Sequence, residues 1–119
     1  MQNSLELIRT GFESGLSPCL TEEGTSGAYM LQVADDEEIV RPVGFWKPID
    51  EEPFAPNNPR GMCAPFGSET CRPGVKSGES SLREVIAYLL DHEGFSSVPP
   101  TALVEVSHPS LRMTPFSDR

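Results

Sequence analysis

Apolar positions late in the chain recur with the period of a helix. The following residues have the i, i+3, i+4, i+7, i+8 spacing of an amphipathic helix: Leu82, Val85, Ile86, Leu89 and Leu90. Ser81 and Glu84 have the spacing of a capping box, in which each side chain bonds to a backbone N–H of the first turn. Gly94 can end the helix, because glycine is common just after the last helical residue. The pattern predicts a helix over residues 81 to 93.

A second, shorter helix is predicted near the start of the chain. Asn3 followed by Glu6 forms a plausible cap, and Gly11 lies near the predicted end. Three apolar residues fall on one side of this helix: Leu5, Ile8 and Phe12. The residues from 15 to 27 are rich in turn-forming types and are predicted to be a loop.

Three other segments have the composition of β-strands. They are residues 28 to 33 (AYMLQV), 39 to 46 (IVRPVGFW) and 101 to 106 (TALVEV). The acidic run ADDEE between the first two predicts a solvated hairpin turn. Pro42 has no N–H to donate to a ladder, so its position is predicted to be a bulge or an edge.

Residues 48 to 79 separate the second predicted strand from the main helix. This segment contains six prolines and four glycines and has almost no periodicity, so it is predicted to be a long loop. Taken in order, the elements predict an α+β fold with an antiparallel sheet, one main helix and a long proline-rich loop.

Composition and charge exclude several classes of function. The chain has 119 residues, enough for one small domain, and carries 9 basic and 18 acidic residues, for a formal charge of −9. This charge repels nucleic-acid phosphates, so no nucleic-acid partner is predicted. No stretch approaches the roughly 20 apolar residues of a membrane span, and the first residues lack the pattern of a signal peptide. Three cysteines and two histidines at unsuitable spacings predict no metal site.

The candidate chemistry lies in a small-residue loop and a single lysine. The loop GTSG enters the predicted hairpin, and Lys47 ends its second strand. This order of elements is typical of the N-terminal lobe of a kinase, where loop N–H groups and a lysine bind nucleotide phosphates. The alternative is an ordinary hairpin entry and a surface cation, because short glycine motifs match by chance. The residues alone leave both open.

Two long segments carry a resemblance to a known family. They are FWKPIDEEPFAPNNPRG, from residue 45, and GESSLREVIAYLLDHEGFSSVPPTALVEVSH, ending at residue 108. Together they resemble the N-terminal lobe of the phosphatidylinositol 3- and 4-kinase family, most closely the type II and plant-type gamma phosphatidylinositol 4-kinases. The resemblance implies a protein-kinase-like N-terminal lobe over residues 24 to 108. An extension (1 to 23) would precede the lobe, and a frayed tail (109 to 119) would follow it.

The same resemblance implies roles for individual residues. The loop that covers the ATP phosphates would consist of Gly24, Thr25, Ser26, Gly27 and Ala28. Lys47 would contact the nucleotide, and the segment of Glu52, Pro53 and Phe54 would bind substrate. Glu84 would be the natural partner for the lysine, although its place in the capping box explains it without any lysine.

The activity implied by the resemblance is transfer of the γ-phosphate of ATP, with Mg²⁺, to the inositol 4-hydroxyl of phosphatidylinositol. No catalytic or metal-binding aspartate of the second lobe can be assigned here. The chain is therefore predicted to be an N-lobe fragment or truncated product, inactive as an isolated chain and prone to self-association through its exposed lobe interface. The predicted location is cytoplasmic, and peripheral to membranes in the full-length form.

Two alternatives remain open at this point. One is a non-catalytic interaction module derived from the kinase lobe. The other is a part of a protein kinase of the same superfamily, which only a substrate assay would separate from a lipid kinase.

Overall fold

A computed structural model describes residues 2 to 107 and has an α+β architecture. Its elements in chain order are α1 (Gln2–Glu13), β1 (Cys19–Leu20), β2 (Tyr29–Ala34), β3 (Val40–Trp46) and α2 (Ser80–Leu90). Short 3-10 turns occur at Ile49–Glu51 and His92–Gly94. The three strands form one antiparallel sheet in the order β1-β2-β3, which confirms the predicted α+β class and antiparallel sheet.

Strands β2 and β3 form the predicted hairpin, with an irregularity at the predicted proline. Leu31 pairs with Gly44 and Gln32 pairs with Pro42, so Val43 is an extra residue in β3. Strand β3 is also an edge strand of the sheet. Both expectations for Pro42 are confirmed, because a residue without an N–H is tolerated at a bulge or an edge.

The prediction of a strand at residues 101 to 106 is wrong. Residues 101 to 107 have no regular secondary structure, and the third strand of the sheet is instead β1, within the segment predicted to be a loop. The β-branched residues of TALVEV favour a strand only where a sheet offers a half-buried surface for their side chains, because β-propensity is not an intrinsic backbone preference. Here Leu103 and Val104 are exposed, and no described strand pairs with them.

Helix α1 packs against β2 and β3 through a close backbone approach. Gly11 is buried, and a Cβ added there would overlap the carbonyl oxygen of Gln32. Leu31 and Val33 on β2 are buried in this part of the molecule. The division into an extension, a lobe and a tail stays a prediction, and residues 108 to 119 lie outside the described part.

Helix α2 is shorter than predicted at its C-terminal end. It covers Ser80–Leu90 instead of residues 81 to 93. Asp91 has a non-helical ψ of 88°, and its carboxylate accepts hydrogen bonds from the N–H groups of Ser96 (2.7 Å) and Val98 (2.9 Å). Glu93 has a positive φ of 54°, which interrupts helical geometry before Gly94.

The apolar stripe of α2 is largely uncovered. The exposed fractions of its leucines and isoleucine and of the following phenylalanine are Leu82 52%, Ile86 48%, Leu89 73%, Leu90 76% and Phe95 93%. The periodicity that predicted the helix is therefore present, but within the described residues it does not face a core. No helix of the described part is long and apolar enough to cross a membrane.

Candidate functional site

The predicted loop and the predicted lysine lie at the same end of the sheet. Tyr29 at the start of β2 pairs with Trp46 at the end of β3, and their ring centroids are 5.9 Å apart. Residues 24 to 28 lead into Tyr29, and Lys47 directly follows Trp46. The antiparallel register thus places both candidate elements together.

Lys47 pairs with Glu84 on α2. The Nζ atom of Lys47 lies 2.6 Å from Oε1 of Glu84, and each side chain is 46% exposed. The structure thereby brings together the two residues that the resemblance matched as partners. The predicted capping box of Ser81 and Glu84 is wrong. The helix begins at Ser80, and the side chain of its N-cap residue, Glu79, makes no capping hydrogen bond.

The first turn of α2 is capped by Glu52. This carboxylate is only 4% exposed. Its Oε2 accepts hydrogen bonds from the N–H groups of Gly78 (2.7 Å) and Ser80 (3.3 Å). Its Oε1 accepts from the N–H (3.0 Å) and the hydroxyl (3.1 Å) of Ser81. A negative charge at this place is favoured by the helix dipole, which is positive at the N-terminus.

The segment predicted to bind substrate therefore divides into two parts. Glu52 points into the protein and uses both carboxylate oxygens there, whereas Pro53 and Phe54 are half-buried. Phe54 has a φ of 63°, and its N–H donates to the carbonyl of Met62 at 2.8 Å. A substrate contact from this segment stays a prediction, and the structure leaves only Pro53 and Phe54 partly accessible for one.

One end of the loop is held by Glu51. The N–H of Gly27 donates to the Glu51 carbonyl at 2.9 Å, and a Cβ at Gly27 would overlap the Glu51 carboxylate. The Tyr29 hydroxyl donates to Oε2 of the same carboxylate at 2.7 Å. Burial, together with this hydrogen bond, raises the pKa of Tyr29 well above the usual value for a tyrosine. Position 27 therefore requires glycine, because a larger residue would overlap the Glu51 side chain.

Asn58 joins the loop to the proline-rich segment. Its Nδ2 donates to the carbonyls of Thr25 (2.7 Å), Glu51 (3.1 Å) and Glu52 (3.2 Å). Its Oδ1 accepts from the N–H groups of Arg60 (2.9 Å) and Met62 (3.2 Å). The side chain is 3% exposed, so these bonds are made away from water. Sequence reasoning missed Asn58, although two adjacent asparagines among prolines were a signal of a hydrogen-bonded turn.

Arg60 extends the same connection to the chain before the loop. Its guanidinium donates to the carbonyls of Thr21, Glu22 and Glu23. Five donors in a planar group suit a cluster of carbonyl oxygens. The segment after Lys47 is therefore a hydrogen-bonded support for the loop and not a structureless connection.

Three consecutive amides of the loop are available to a ligand. Within the described residues, the N–H groups of Gly24, Thr25 and Ser26 donate to no protein acceptor, while that of Gly27 is used by Glu51. Gly24 and Thr25 are exposed. Backbone amides in a tight turn of small residues are a common means of binding phosphate oxygens.

Metal ligands are not gathered at this site. In the part of the chain that the structure describes, no group of three His, Cys, Asp or Glu side chains is close enough to hold a metal ion. The three cysteines, Cys19, Cys63 and Cys71, are free and exposed.

Comparison with known proteins finds relatives that are named as phosphatidylinositol 4-kinases of the gamma type. Phosphatidylinositol 4-kinase gamma 4 of Arabidopsis thaliana is 41% identical over 123 residues, covering 93% of this chain and 21% of the relative. Phosphatidylinositol 4-kinase gamma 8 of the same plant is 48% identical over 107 residues, covering 89% of this chain and 18% of the relative. Phosphatidylinositol 4-kinase gamma 4 of Oryza sativa subsp. japonica is 43% identical, covering 83% of this chain and 19% of the relative.

The matches cover most of this chain but only a small part of each relative. The chain spans about a fifth of the length of these relatives, while most of the chain is matched. No family model matches the chain, and no solved structure matches it. Nearly all of this chain is thus similar to one segment of proteins named phosphatidylinositol 4-kinase gamma.

Proposed function

We propose that this chain is the nucleotide-binding N-lobe portion of a plant-type gamma phosphatidylinositol 4-kinase. The observation that carries the proposal is the contact of 2.6 Å between Lys47 and Glu84, at the end of the sheet where the small-residue loop lies. The similarity to named phosphatidylinositol 4-kinase gamma proteins over most of the chain supports the same function.

The proposed binding mode assigns a separate task to each group. The ammonium of Lys47 supplies a positive charge to the nucleotide phosphates, and Glu84 orients the lysine side chain. The free amides of Gly24, Thr25 and Ser26 donate hydrogen bonds to phosphate oxygens. Asn58 and Glu51 hold the loop, so that these donors are already in place before the nucleotide arrives.

In the parent kinase the reaction is transfer of the γ-phosphoryl group of ATP to the inositol 4-hydroxyl of phosphatidylinositol. Transfers of this kind depend mostly on positioning and on charge stabilisation. Mg²⁺ would neutralise charge on the phosphates when bound. The proposal assigns nucleotide binding to the described residues and assigns the transfer step to none of them. The parent would act in the cytoplasm at the membrane surface that contains its lipid.

Nucleotide-dependent thermal stabilisation of the 119-residue chain tests the proposal. At a nucleotide concentration of ten times Kd, mass action stabilises the folded state by about 1.4 kcal/mol, which corresponds to roughly 4–8 °C in Tm for a small domain. We expect Lys47→Ala to abolish this shift. Lys76→Ala, which alters an exposed lysine outside the site, should retain it. A wild-type chain that shows no shift with ATP or a non-hydrolysable analogue refutes the proposal.

A second candidate function is a non-catalytic interaction module. The exposed apolar residues of α2, together with Phe95, favour it, since contiguous apolar surface of this kind commonly marks a protein contact. This candidate predicts a folded chain without any nucleotide response. The thermal-shift measurement therefore separates the two functions.

A further inference from the structure

We infer that Glu52 is a positioning residue for the Lys47–Glu84 pair, acting through the N-terminus of α2. The contact between the pair is an observation of the structure, while its importance for nucleotide binding rests on the proposed function. This assigns Glu52 a different task from the substrate contact that the family resemblance implies.

The first step is the completeness of the contact. Both oxygens of the Glu52 carboxylate accept hydrogen bonds, with four donors supplied by Gly78, Ser80 and Ser81. The group is 4% exposed, so water does not compete for these bonds. Backbone donors at a helix start have no partner within the helix, and a buried carboxylate supplies one for several of them at once.

The second step is the weakness of other attachments. The apolar stripe of α2 is mostly exposed: Leu82, Ile86 and Leu89 are exposed by 52%, 48% and 73%, while Val85 is half-buried. Within the described residues, the helix is therefore not placed by a packed core. Contacts made by its first turn must determine where it lies relative to the sheet, and the Glu52 contact is the buried one among them.

The third step is a short connection on each side. Four residues lie between Lys47 and Glu52, namely the buried Pro48 and the 3-10 turn Ile49–Glu51. On the helix, Glu84 follows Ser81 by three positions, which is about one turn. The chain from Lys47 to Glu52, the capped turn from Ser81 to Glu84 and the ion pair thus form a closed ring. Releasing Glu52 opens this ring at its buried contact.

A purely local role for Glu52 makes a different prediction. If it served only to cap the helix, its loss would lower stability and leave the Lys47–Glu84 distance unchanged in the folded chain. A measurement of that contact separates the two roles. Lys47 and Glu84 are both 46% exposed, so a soluble reagent can reach them.

The experiment is zero-length carbodiimide cross-linking of the 119-residue chain, which joins an ammonium to a carboxylate only when they are in contact. The yield of the Lys47–Glu84 amide is measured by peptide mass spectrometry at a temperature where circular dichroism shows each variant to be folded. The variants are Glu52→Gln, which is isosteric but uncharged, and Ser81→Ala, which removes one donor. The matched control is Glu79→Gln, a second glutamate at the same helix end that is not buried.

We expect Glu52→Gln to lower the yield at least about fivefold, since hydrogen bonds to a charged group are each worth roughly tenfold or more in equilibrium terms. Ser81→Ala should lower the yield less, and Glu79→Gln should leave it at the wild-type level. An unchanged yield in folded Glu52→Gln overturns the inference. Should Glu52→Gln not fold, Ser81→Ala decides: a reduced yield supports the positioning role, and a wild-type yield overturns it.

Nucleotide binding by the same variants distinguishes this inference from the proposed function. A wild-type chain that binds no nucleotide, combined with a lower cross-link yield in Glu52→Gln, refutes the function and keeps the positioning role. If wild type and Glu52→Gln bind nucleotide equally and give the same cross-link yield, the function is kept and the positioning role is refuted. If the proposed function and the positioning role are both correct, Glu52→Gln and Glu84→Gln each weaken nucleotide binding. The double variant then binds nucleotide no more weakly than Glu84→Gln alone.

Discussion

The Nζ atom of Lys47 lies 2.6 Å from Oε1 of Glu84, although 37 positions separate the two residues along the chain. The contact connects the end of strand β3 with the first turns of helix α2. Both side chains are half-exposed, so water and salt weaken their attraction. We expect the pair to contribute little to overall stability and, under the proposed function, to orient the lysine side chain toward the nucleotide.

Glu84→Gln should separate those two effects. We expect a loss of at most about 1 kcal/mol in the free energy of unfolding, which is typical of exposed ion pairs. Glu13→Gln is the matched control, because it removes the partner of Arg9 in another exposed pair. Urea unfolding should give similar small changes for both variants, while only Glu84→Gln reduces the thermal shift with nucleotide. A loss above about 2 kcal/mol for Glu84→Gln would contradict a mainly orienting role.

Asn58→Asp tests the connection between the loop and the proline-rich segment. The substitution keeps the acceptor oxygen but places a second oxygen against the carbonyls that Nδ2 now contacts. We expect the free energy of unfolding to fall by about 2–3 kcal/mol, the cost of unsatisfied buried polar groups. Asn3→Asp, at an exposed position of α1, should change it by less than about 0.5 kcal/mol. Equal effects of the two variants in urea unfolding would show that the buried contacts of Asn58 do not support the loop.

Gly27→Ala tests the close approach of the loop to Glu51. The added Cβ would overlap the Glu51 carboxylate and displace it from Tyr29, so we expect a loss of about 1–3 kcal/mol in unfolding free energy. Gly44→Ala is a control, because a Cβ there would meet only the Ile8 side chain at 3.5 Å, an ordinary contact. A Gly27→Ala chain as stable as Gly44→Ala would mean that the loop moves without cost.

Tyr29 should make stability depend on alkaline pH. Its pKa is raised in the folded state, so the neutral phenol is favoured there, and the corresponding stability is fully present below pH of about 10, the unfolded value. That stability is lost as the pH rises further. Tyr29→Phe should therefore be less stable than wild type by about 1 kcal/mol at pH 8, and the gap should narrow above pH 10. The measurement is urea unfolding of both chains from pH 8 to pH 11. A gap that stays constant across this range would contradict the buried hydrogen bond to Glu51.

Leu90→Glu should reduce self-association without loss of stability. Leu90 is 76% exposed, so its replacement removes no core contact and adds charge to the apolar face of α2. Sedimentation velocity across a range of concentrations should show a more monomeric chain with an unchanged Tm. Leu31→Ala is the contrasting control: Leu31 is 7% exposed, and its truncation should cost about 2–5 kcal/mol. A monomeric wild-type chain at all concentrations would refute the predicted self-association.

Local patterns predicted the elements whose signal lies within a few residues. The period of 3.6 in α2 and the strand-type composition of β2 and β3 placed these elements to within three residues at each end. The strand predicted at TALVEV failed because a strand requires a paired neighbour, which composition does not report. Strand β1 has two residues, too few for any pattern.

The candidate site was predicted unevenly for the same reason. The order of elements singled out the loop and Lys47, and a family resemblance then assigned roles to them and to Glu84. The structure brings Lys47 and Glu84 into contact. Glu52 was assigned to a substrate, while Asn58 was not assigned at all. Gly78 lies 26 positions from Glu52, and Thr25 lies 33 positions from Asn58, so no local motif contains both sides of either of these two contacts.

The sequence by itself determined the types of the main helix and hairpin, the acidic charge and the bulge at Pro42. These follow from side-chain periodicity and from the missing N–H of proline, both of which are local properties. Only the tertiary structure decided that Glu52 caps α2, that Asn58 holds the loop and that the apolar stripe of α2 stays exposed. Those outcomes depend on which distant groups burial brings within hydrogen-bonding distance, and a buried carboxylate or amide must find partners wherever the fold supplies them.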